Sequence, residues 1–219
     1  MPERNLIRVA AAASLALAGT VAAEPSFVPV YQVNFPDPDI LLANGFFIAY
    51  ATNDGINLPL ATSKDLVHWS AAMDPANPGK RLDGMPTLAS WVKEGATWAP
   101  EVHRIGANYM LYYTANNRKL DRQCIGLAVA NNPLGPFRDS SDTPLMCQPA
   151  LGGTIDANVF SDREGKLYLY YKNDGNRVGK VSEIWAQRLS DDGRALIGKA
   201  VSIARDTKPW EQRDRKSVV

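Results

Sequence analysis

Two aspartates and a tryptophan open three similar stretches of this 219-residue chain. Asp37 begins Asp-Pro-Asp-Ile, Trp98 begins Trp-Ala-Pro-Glu-Val, and Asp156 lies second in Ile-Asp-Ala-Asn-Val, at intervals of 61 and 58 residues. In a shared pocket, one carboxylate could activate a water molecule and another could assist the protonation of a leaving oxygen. An indole offers a flat apolar face to a sugar ring. These residue types favour hydrolysis of a glycosidic bond.

A repeated unit surrounds the three stretches. Turn glycines fall at Gly45, Gly106 and Gly165, at intervals of 61 and 59 residues, and an aromatic-rich apolar strand follows each of them. A second short β segment, closed by a turn, completes each unit. Recurrence on this scale indicates repeated supersecondary units, and the lack of helical periodicity favours four-stranded blades of a β-propeller. The sequence therefore predicts an all-β fold, and an ordinary β-sandwich with similar hairpins is the alternative.

The propeller fold would bring the three stretches together. The innermost strand of each blade begins beside the central axis, at one end of the channel. Asp37, Trp98 and Asp156 are therefore expected around one central pocket, and Phe35 lies where it could line the same pocket.

Each of these residues also has a purely structural explanation. An Asp-Pro-Asp before a strand, as at Asp37, is often turn chemistry in which the side chain bonds its own backbone. Trp98 alone could be a packing residue, and Asp156, shortly after two glycines, could be a loop residue. Their shared register favours a functional interpretation. Three nearby polar residues are interpreted as structural or as rim residues: Asp39, Glu101 and His103.

The first residues predict export. Arg4 and Arg8 precede an apolar segment that ends in Val-Ala-Ala, so residues 1–23 are predicted to be a signal peptide and residues 24–219 the mature, secreted domain. A membrane anchor is the alternative, but the apolar run is short for one. The mature part has 22 basic and 22 acidic residues, which predicts a neutral partner and no binding to nucleic acid or membrane.

The two cysteines are consistent with an oxidising compartment. Cys124 and Cys147 could form a disulfide there, although two unpaired buried thiols remain the alternative. With only His68 and His103 as histidines, a zinc site has no support, and we expect neither a metal nor another cofactor.

The ordered motifs resemble glycoside hydrolase family 43. They comprise Asn-Phe-Pro-Asp-Pro-Asp-Ile from Asn34, Trp-Ala-Pro-Glu-Val from Trp98, and Ile-Asp-Ala-Asn-Val-Phe from Ile155, followed by the Gly165 turn. The match extends from Tyr31 to about residue 197 in correct order and spacing. Members of that family include arabinanases, arabinofuranosidases and β-xylosidases, and they fold as five-bladed β-propellers.

The resemblance implies a role for each candidate. Asp37 matches the general base that deprotonates the attacking water in an inverting displacement. Asp156 matches the aspartate that orients the general acid and raises the pKa of that acid. Trp98 matches an aromatic wall of the sugar subsite, and Phe35 could line it. The implied partner is a neutral plant polysaccharide or oligosaccharide of the arabinan or xylan type.

One departure from the family concerns the general acid. Family members carry it as a glutamate in Glu-Gly-Pro at the opening of the fourth blade, and this chain has no such tripeptide. Its Glu-Gly pairs continue as Glu94-Gly95-Ala96 and Glu164-Gly165-Lys166. Repeats of about 60 residues fill the mature chain with three blades rather than five. We therefore expect the N-terminal portion of such an enzyme, inactive as given.

Two other functions stay open at this point. A non-catalytic sugar-binding propeller would not need the glutamate. Fructan- and sucrose-cleaving propeller hydrolases also open with an Asp-Pro pair, but they show Asn-Asp-Pro-Asn there, whereas Pro36 precedes Asp37 in this chain.

Overall fold

The computed structural model describes residues 28–211, which fold into antiparallel β-sheets. Sheet 1 contains β1 (Asp39–Ala43), β2 (Phe46–Tyr50), β3 (Leu60–Ser63) and β4 (Trp69–Ala71). Sheet 2 contains β5 (Val92–Ile105), β6 (Asn108–Asn117) and β7 (Arg122–Ala130). Sheet 3 contains β8 (Thr154–Ser161), β9 (Leu167–Asn173), β10 (Glu183–Leu189) and β11 (Leu196–Arg205). The helical segments described are short 3₁₀ turns: Pro149–Leu151, Gly175–Val178 and Pro209–Glu211.

Tight turns set the strand register. Asn44 and Gly45 join β1 to β2 with φ angles of 53° and 77°, and this left-handed pair places Ala43 directly opposite Phe46. Two-residue turns with positive φ match the twist of the strands that they connect. The pattern of an Asn-Gly turn before an aromatic strand therefore builds the first hairpin.

Sheet 2 departs from the four-stranded unit predicted for every repeat. After β7, the chain returns along the sheet but pairs with it only at isolated bridges: Arg138 with Val129, Met146 with Ile125, and Gly153 with Gln123. The returning segment carries prolines at positions 133, 136, 144 and 149. Because proline has no N–H to donate, such a segment cannot continue as a regular strand.

The order of the sheets is visible in the central strand β6. Its residues are buried on both faces, and the alternation of a strand sends them to different sides. Leu111 and Tyr113 belong to the apolar core shared with sheet 1, whereas Met110 and Tyr112 belong to the core shared with sheet 3. Sheet 2 therefore lies between the other two, and the inner strands β1, β5 and β8 are neighbours. Three sheets packed in succession are not a two-layer sandwich, so that alternative is wrong.

Tyrosine hydroxyls fasten neighbouring sheets at their outer turns. Tyr50 in β2 donates a hydrogen bond of 2.8 Å to the Pro133 carbonyl after β7, and Tyr112 in β6 donates one of 2.7 Å to the Gly193 carbonyl after β10. Both tyrosines are fully buried, and burial raises the pKa of each hydroxyl. The same contact thus recurs between sheets 1 and 2 and between sheets 2 and 3.

A disulfide joins Cys124 of β7 to Cys147 in the segment that returns along sheet 2. The alternative of two unpaired thiols is therefore wrong. The bond holds the returning segment against the sheet where regular strand pairing is missing. The predicted signal peptide, residues 1–23, lies outside the described residues. Among the residues that are described, no helix has the length and apolar character needed to span a membrane.

Candidate active site

A residue with an unusual backbone precedes the inner strand β1 and lies within each of the inner strands β5 and β8, and we call these three positions the openings. Asp37, Ala99 and Asp156 have left-handed φ angles of 50°, 40° and 58°. Ala99 lies in a register irregularity of β5 between Trp98 and Glu101, and Asp156 lies in one of β8. Left-handed non-glycine residues and bulges re-aim side chains and are common beside functional sites.

The backbone corrects one expectation about register. The sequence alignment placed Trp98 at the same repeat position as Asp37 and Asp156, but the left-handed position in sheet 2 is Ala99. Trp98 lies one residue earlier, where it pairs with Thr114 of β6. β8 has the same irregularity, between Ile155 and Asn158, so the equivalent of Trp98 in sheet 3 is Ile155 rather than Asp156.

Asp37 is held by Thr52, which lies two residues after the end of β2. The Thr52 hydroxyl donates a hydrogen bond of 2.7 Å to Asp37 Oδ2, and Thr52 Oγ1 accepts one of 2.9 Å from the Ala99 N–H. The Thr52 N–H donates to the Pro36 carbonyl at 3.1 Å. The Asp37 carboxylate is exposed, so it is available to water and to a ligand. One threonine thereby positions this carboxylate against the opening of sheet 2.

Asp156 has a related anchor in sheet 2 and a cation in sheet 3. Its N–H donates a hydrogen bond of 3.1 Å to Thr114 Oγ1, and its Oδ2 lies 3.0 Å from Lys172 Nζ. Thr52, Thr114 and Lys172 hold corresponding positions, since each lies two residues after a tyrosine that pairs with the inner strand of its sheet, namely Tyr50, Tyr112 and Tyr170. The aspartate in sheet 1 is thus bonded to a hydroxyl, and the aspartate in sheet 3 to an ammonium group.

Trp98 lies next to residues that connect to both aspartates. Its neighbour Ala99 bonds to the threonine that holds Asp37, and Trp98 is opposite the threonine that holds Asp156. The Trp98 side chain is 38% exposed, so part of the indole is free to contact a ligand. Phe35 is half-buried and packs edge-on against Tyr31, with 5.4 Å between ring centroids. The segment that contains Trp98 is thus linked to both aspartates through the two threonines. Phe35 contacts Tyr31 instead.

A cavity of about 710 Å³ opens beside these residues, between sheets 1 and 2. Its lining includes Asn53, which follows Thr52 in the chain, and the charged residues Glu94 and Arg118. None of the four predicted site residues lines it. Asp37 and Asp156 are exposed and lie outside this cavity.

A second pair of carboxyl groups lies between the sheets, two residues after the left-handed positions. Asp39 Oδ2 accepts a hydrogen bond of 2.8 Å from the Val102 N–H. Glu101 Oε1 and Oε2 accept bonds of 3.1 Å from the Val159 N–H and the Asn158 side chain. Each group thus accepts a backbone N–H from within the inner strand of the next sheet. This agrees with their interpretation as structural residues.

Burial controls the protonation of this pair. Burial raises the pKa of Asp39, and burial together with the Asp39 charge raises the pKa of Glu101 to about 7. The two carboxyl groups also share a hydrogen bond, in which protonated Glu101 donates to Asp39. Burial lowers the pKa of the nearby His103. The sequence signal for the pair was an acidic residue soon after the start of each of the first two stretches, two positions after Asp37 and three after Trp98.

Within residues 28–211, no three metal-ligating side chains come together. The groups that the site offers are two carboxylates, their hydroxyl and ammonium anchors, and a partly exposed indole. Such a surface suits a neutral polyhydroxylated ligand that needs a general base and an aromatic platform.

Residues 28–216 match the family described as Glycosyl hydrolases family 43. The chain is 27% identical over 190 residues to an extracellular endo-alpha-(1->5)-L-arabinanase 2 of Bacillus subtilis (strain 168), covering 76% of this chain and 39% of that protein. It is 30% identical over 159 residues to an extracellular endo-alpha-(1->5)-L-arabinanase of Thermotoga petrophila, covering 62% and 33%. The chain thus matches less than half the length of these two relatives.

Solved structures share the same arrangement of sheets. A thermostable family-43 glycoside hydrolase superposes with a TM-score of 0.66 at 27% identity, over 84% of this chain and 57% of the other. An endo-arabinase from Bacteroides thetaiotaomicron VPI-5482 superposes with a TM-score of 0.64 at 21% identity, over 81% and 58%. The second likeness is one of fold alone.

Proposed function

This chain belongs to the glycosyl hydrolases family 43, and from that membership we propose that it serves the hydrolysis of O-glycosyl bonds in arabinan- or xylan-type plant polysaccharide. One observation carries the proposal. Asp37 and Asp156 stand at matching left-handed strand openings, and each is anchored by the corresponding position of a second strand. Two accessible carboxylates in one register meet a basic requirement of acid–base glycoside hydrolysis.

The proposed mechanism gives each aspartate a separate task. Asp37 takes a proton from the attacking water, and its hydrogen bond from Thr52 keeps one carboxylate oxygen in place while the other is available to the water. Asp156 orients the general acid and raises the pKa of that acid through its negative charge. Attack by water on the face opposite the leaving group inverts the configuration of the released sugar.

The proposed sugar contacts are Trp98 and Phe35. The exposed part of the Trp98 indole would stack on the apolar face of a furanose or pyranose ring, and Phe35 would add apolar surface on the Asp37 side. Both contacts suit a neutral saccharide. The extracellular relatives and the predicted signal peptide, residues 1–23, support secretion of the protein.

We further propose that the three sheets are three blades of a five-bladed propeller. The relatives that the chain matches are two to three times as long as the matched part, which leaves room for two more blades. Residues 1–219 contain no Glu-Gly-Pro tripeptide to supply the general acid. We therefore expect no hydrolysis of unactivated polysaccharide by these residues unaided.

A binding experiment tests the proposed sugar site directly. Arabino-oligosaccharides and xylo-oligosaccharides are titrated separately into the protein while tryptophan fluorescence is recorded. At least one series should give a saturable change that Trp98→Phe removes and the control Trp69→Phe, in the outer strand β4, retains. Absence of saturable binding by either series, or equal binding by Trp98→Phe, would contradict the proposed site.

A further inference from the structure

The cavity of about 710 Å³ between sheets 1 and 2 is connected to the contacts that position Asp37 and Trp98. Asn53 lines the cavity and follows Thr52, the residue whose hydroxyl holds Asp37. The Asn53 N–H donates a hydrogen bond of 2.9 Å to the carbonyl of Thr97, which directly precedes Trp98. One wall of the cavity is therefore bonded to the segment that carries the proposed sugar contact.

Hydrogen bonds hold both walls of this cavity in place. On the side of sheet 1, the Asn57 side chain donates to the Met85 carbonyl at 3.0 Å, and the Asn57 carbonyl accepts the Thr97 hydroxyl at 2.7 Å. On the side of sheet 2, Arg118 Nη2 donates to the Val92 carbonyl at 2.7 Å. Binding sites for small molecules are usually largely pre-formed, with volumes of about 300–1,000 Å³. The cavity has both properties.

The side chains that line the cavity offer donors as well as acceptors. They include amides, hydroxyls and one charge of each sign: Asn53, Asn57, Thr87, Ser90, Glu94 and Arg118. Amides and hydroxyls can both donate to and accept from the hydroxyl groups of a sugar, each of which is itself a donor and an acceptor. The charges of Glu94 and Arg118 balance, so the lining does not select an ion. It suits a neutral polyhydroxylated ligand.

The position of the cavity determines which sugar unit it can hold. Asp37 and Trp98 belong to the inner edges of their sheets, whereas Asn53 and Arg118 follow the second strands, β2 and β6. The cavity therefore lies about one strand further outward than the site of the proposed chemistry. Because neither Asp37 nor Trp98 lines it, a sugar in the cavity is not the unit whose bond is cleaved.

We propose that this cavity binds a pentose unit of the same polysaccharide chain, some distance along the chain from the bond that is cleaved. Asn53 and Asn57 bind its hydroxyl groups from the side of sheet 1, and Glu94 and Arg118 bind them from the side of sheet 2. Longer oligosaccharides bind more tightly as a result, since a short one that stacks on Trp98 does not reach the cavity. The proposal rests on the proposed function, because the nearer units must occupy the surface at Trp98.

Calorimetric titration with a disaccharide and a hexasaccharide of the arabinan and xylan series tests the proposal. In the series that binds, the hexasaccharide should bind at least about tenfold more tightly than the disaccharide, since a few added hydrogen bonds are worth that factor. The double variant Glu94→Ala with Arg118→Ala should remove most of this difference without weakening the disaccharide. The matched control, Lys93→Ala with Lys119→Ala, changes exposed neighbours that do not line the cavity and should keep the difference.

A second variant fills the cavity instead of removing its polar groups. Thr87 is exposed, and its hydroxyl bonds to no other residue of the described part, so Thr87→Phe should fold normally and weaken the hexasaccharide alone. Circular dichroism verifies the fold of every variant. Equal affinity of the wild type for both lengths, or a hexasaccharide affinity that the double variant and Thr87→Phe leave unchanged, would overturn the proposal while the site at Trp98 stands. Absence of binding at either length would contradict the proposed function, and the cavity proposal with it.

Discussion

The hydroxyl of Thr52 donates to Asp37 Oδ2 at 2.7 Å, while the same oxygen accepts the Ala99 N–H of the next sheet at 2.9 Å. One side-chain oxygen thus positions a carboxylate and fastens two sheets. Asp156 is fastened to sheet 2 by the same kind of bond, from its own N–H to Thr114. Positioning of the aspartates and packing of the sheets are therefore coupled.

Replacing Thr52 with valine should test this coupling. The side chains have the same shape, but valine leaves the Ala99 N–H without its acceptor, and the expected loss in the free energy of unfolding is about 1–3 kcal/mol. Urea denaturation measures the loss. Thr52→Ser keeps the hydroxyl and should lose less than Thr52→Val. A valine variant as stable as the wild type, or a serine variant less stable than the valine variant, would show that the bond does not fasten the sheets.

The buried carboxyl pair should make stability depend on pH. The pKa of Glu101 is raised to about 7 from its ordinary value of 4.5, so the folded protein favours the protonated group. The stabilisation from that proton is complete below the ordinary value, and it is lost as the pH rises through about 7. Asp39, whose pKa is also raised, acts in the same direction.

Glu101→Gln should reduce this pH dependence. Glutamine is neutral at every pH, can accept the Val159 N–H, and can donate to Asp39. Between about pH 5 and about pH 8, the variant should therefore lose less free energy of unfolding than the wild type. Chemical denaturation at both pH values measures the difference. The hypothesis fails if the variant and the wild type lose equal stability.

Removing the disulfide should destabilise the protein. Cys124 and Cys147 are separated by 23 positions, and closing a loop of that size stabilises a folded protein by about 3 kcal/mol in the chain-entropy model. The double substitution Cys124→Ser with Cys147→Ser should lower the free energy of unfolding by about that amount. The wild type measured with and without reductant provides the control. Unchanged stability in both comparisons would count against a structural role for the bond.

Much of the fold was predictable from the repeats. The all-β class is confirmed, and a strand follows each of the three turn glycines as predicted: β2, β6 and β9. Alternating apolar and aromatic residues between turn glycines specify such strands locally. Sheet 2 lacks a fourth strand because the segment that returns along it is rich in proline. A disulfide holds that segment in place, and the spacing of two cysteines alone does not determine whether they pair.

The site was less predictable than the fold. Asp37 and Asp156 were identified by their motifs, and both stand at left-handed openings. The motif comparison aligned Trp98 with Asp156, whereas strand pairing makes Ile155 its equivalent, because the two motifs share too few residue types to fix their offset. The tertiary contacts of Thr52 and Lys172 with the aspartates carry no local sequence signal at all.

The roles of the two aspartates can be measured in a chimera. Residues 28–211 replace the matching part of the endo-arabinanase 2 of Bacillus subtilis, whose remaining sequence completes the protein. The rate of sugar release from linear arabinan is compared for the chimera, Asp37→Asn, Asp156→Asn and the control Asp191→Asn, which changes an exposed carboxylate in an outer turn. Thermal melting verifies that each is folded.

We expect an active chimera that releases sugar of inverted configuration. Asp37→Asn should lower the rate about 10²–10⁴-fold and Asp156→Asn should lower it strongly, while Asp191→Asn should leave it unchanged. A folded but inactive chimera, or a rate that Asp37→Asn leaves unchanged, would contradict the assignment of Asp37 as the general base.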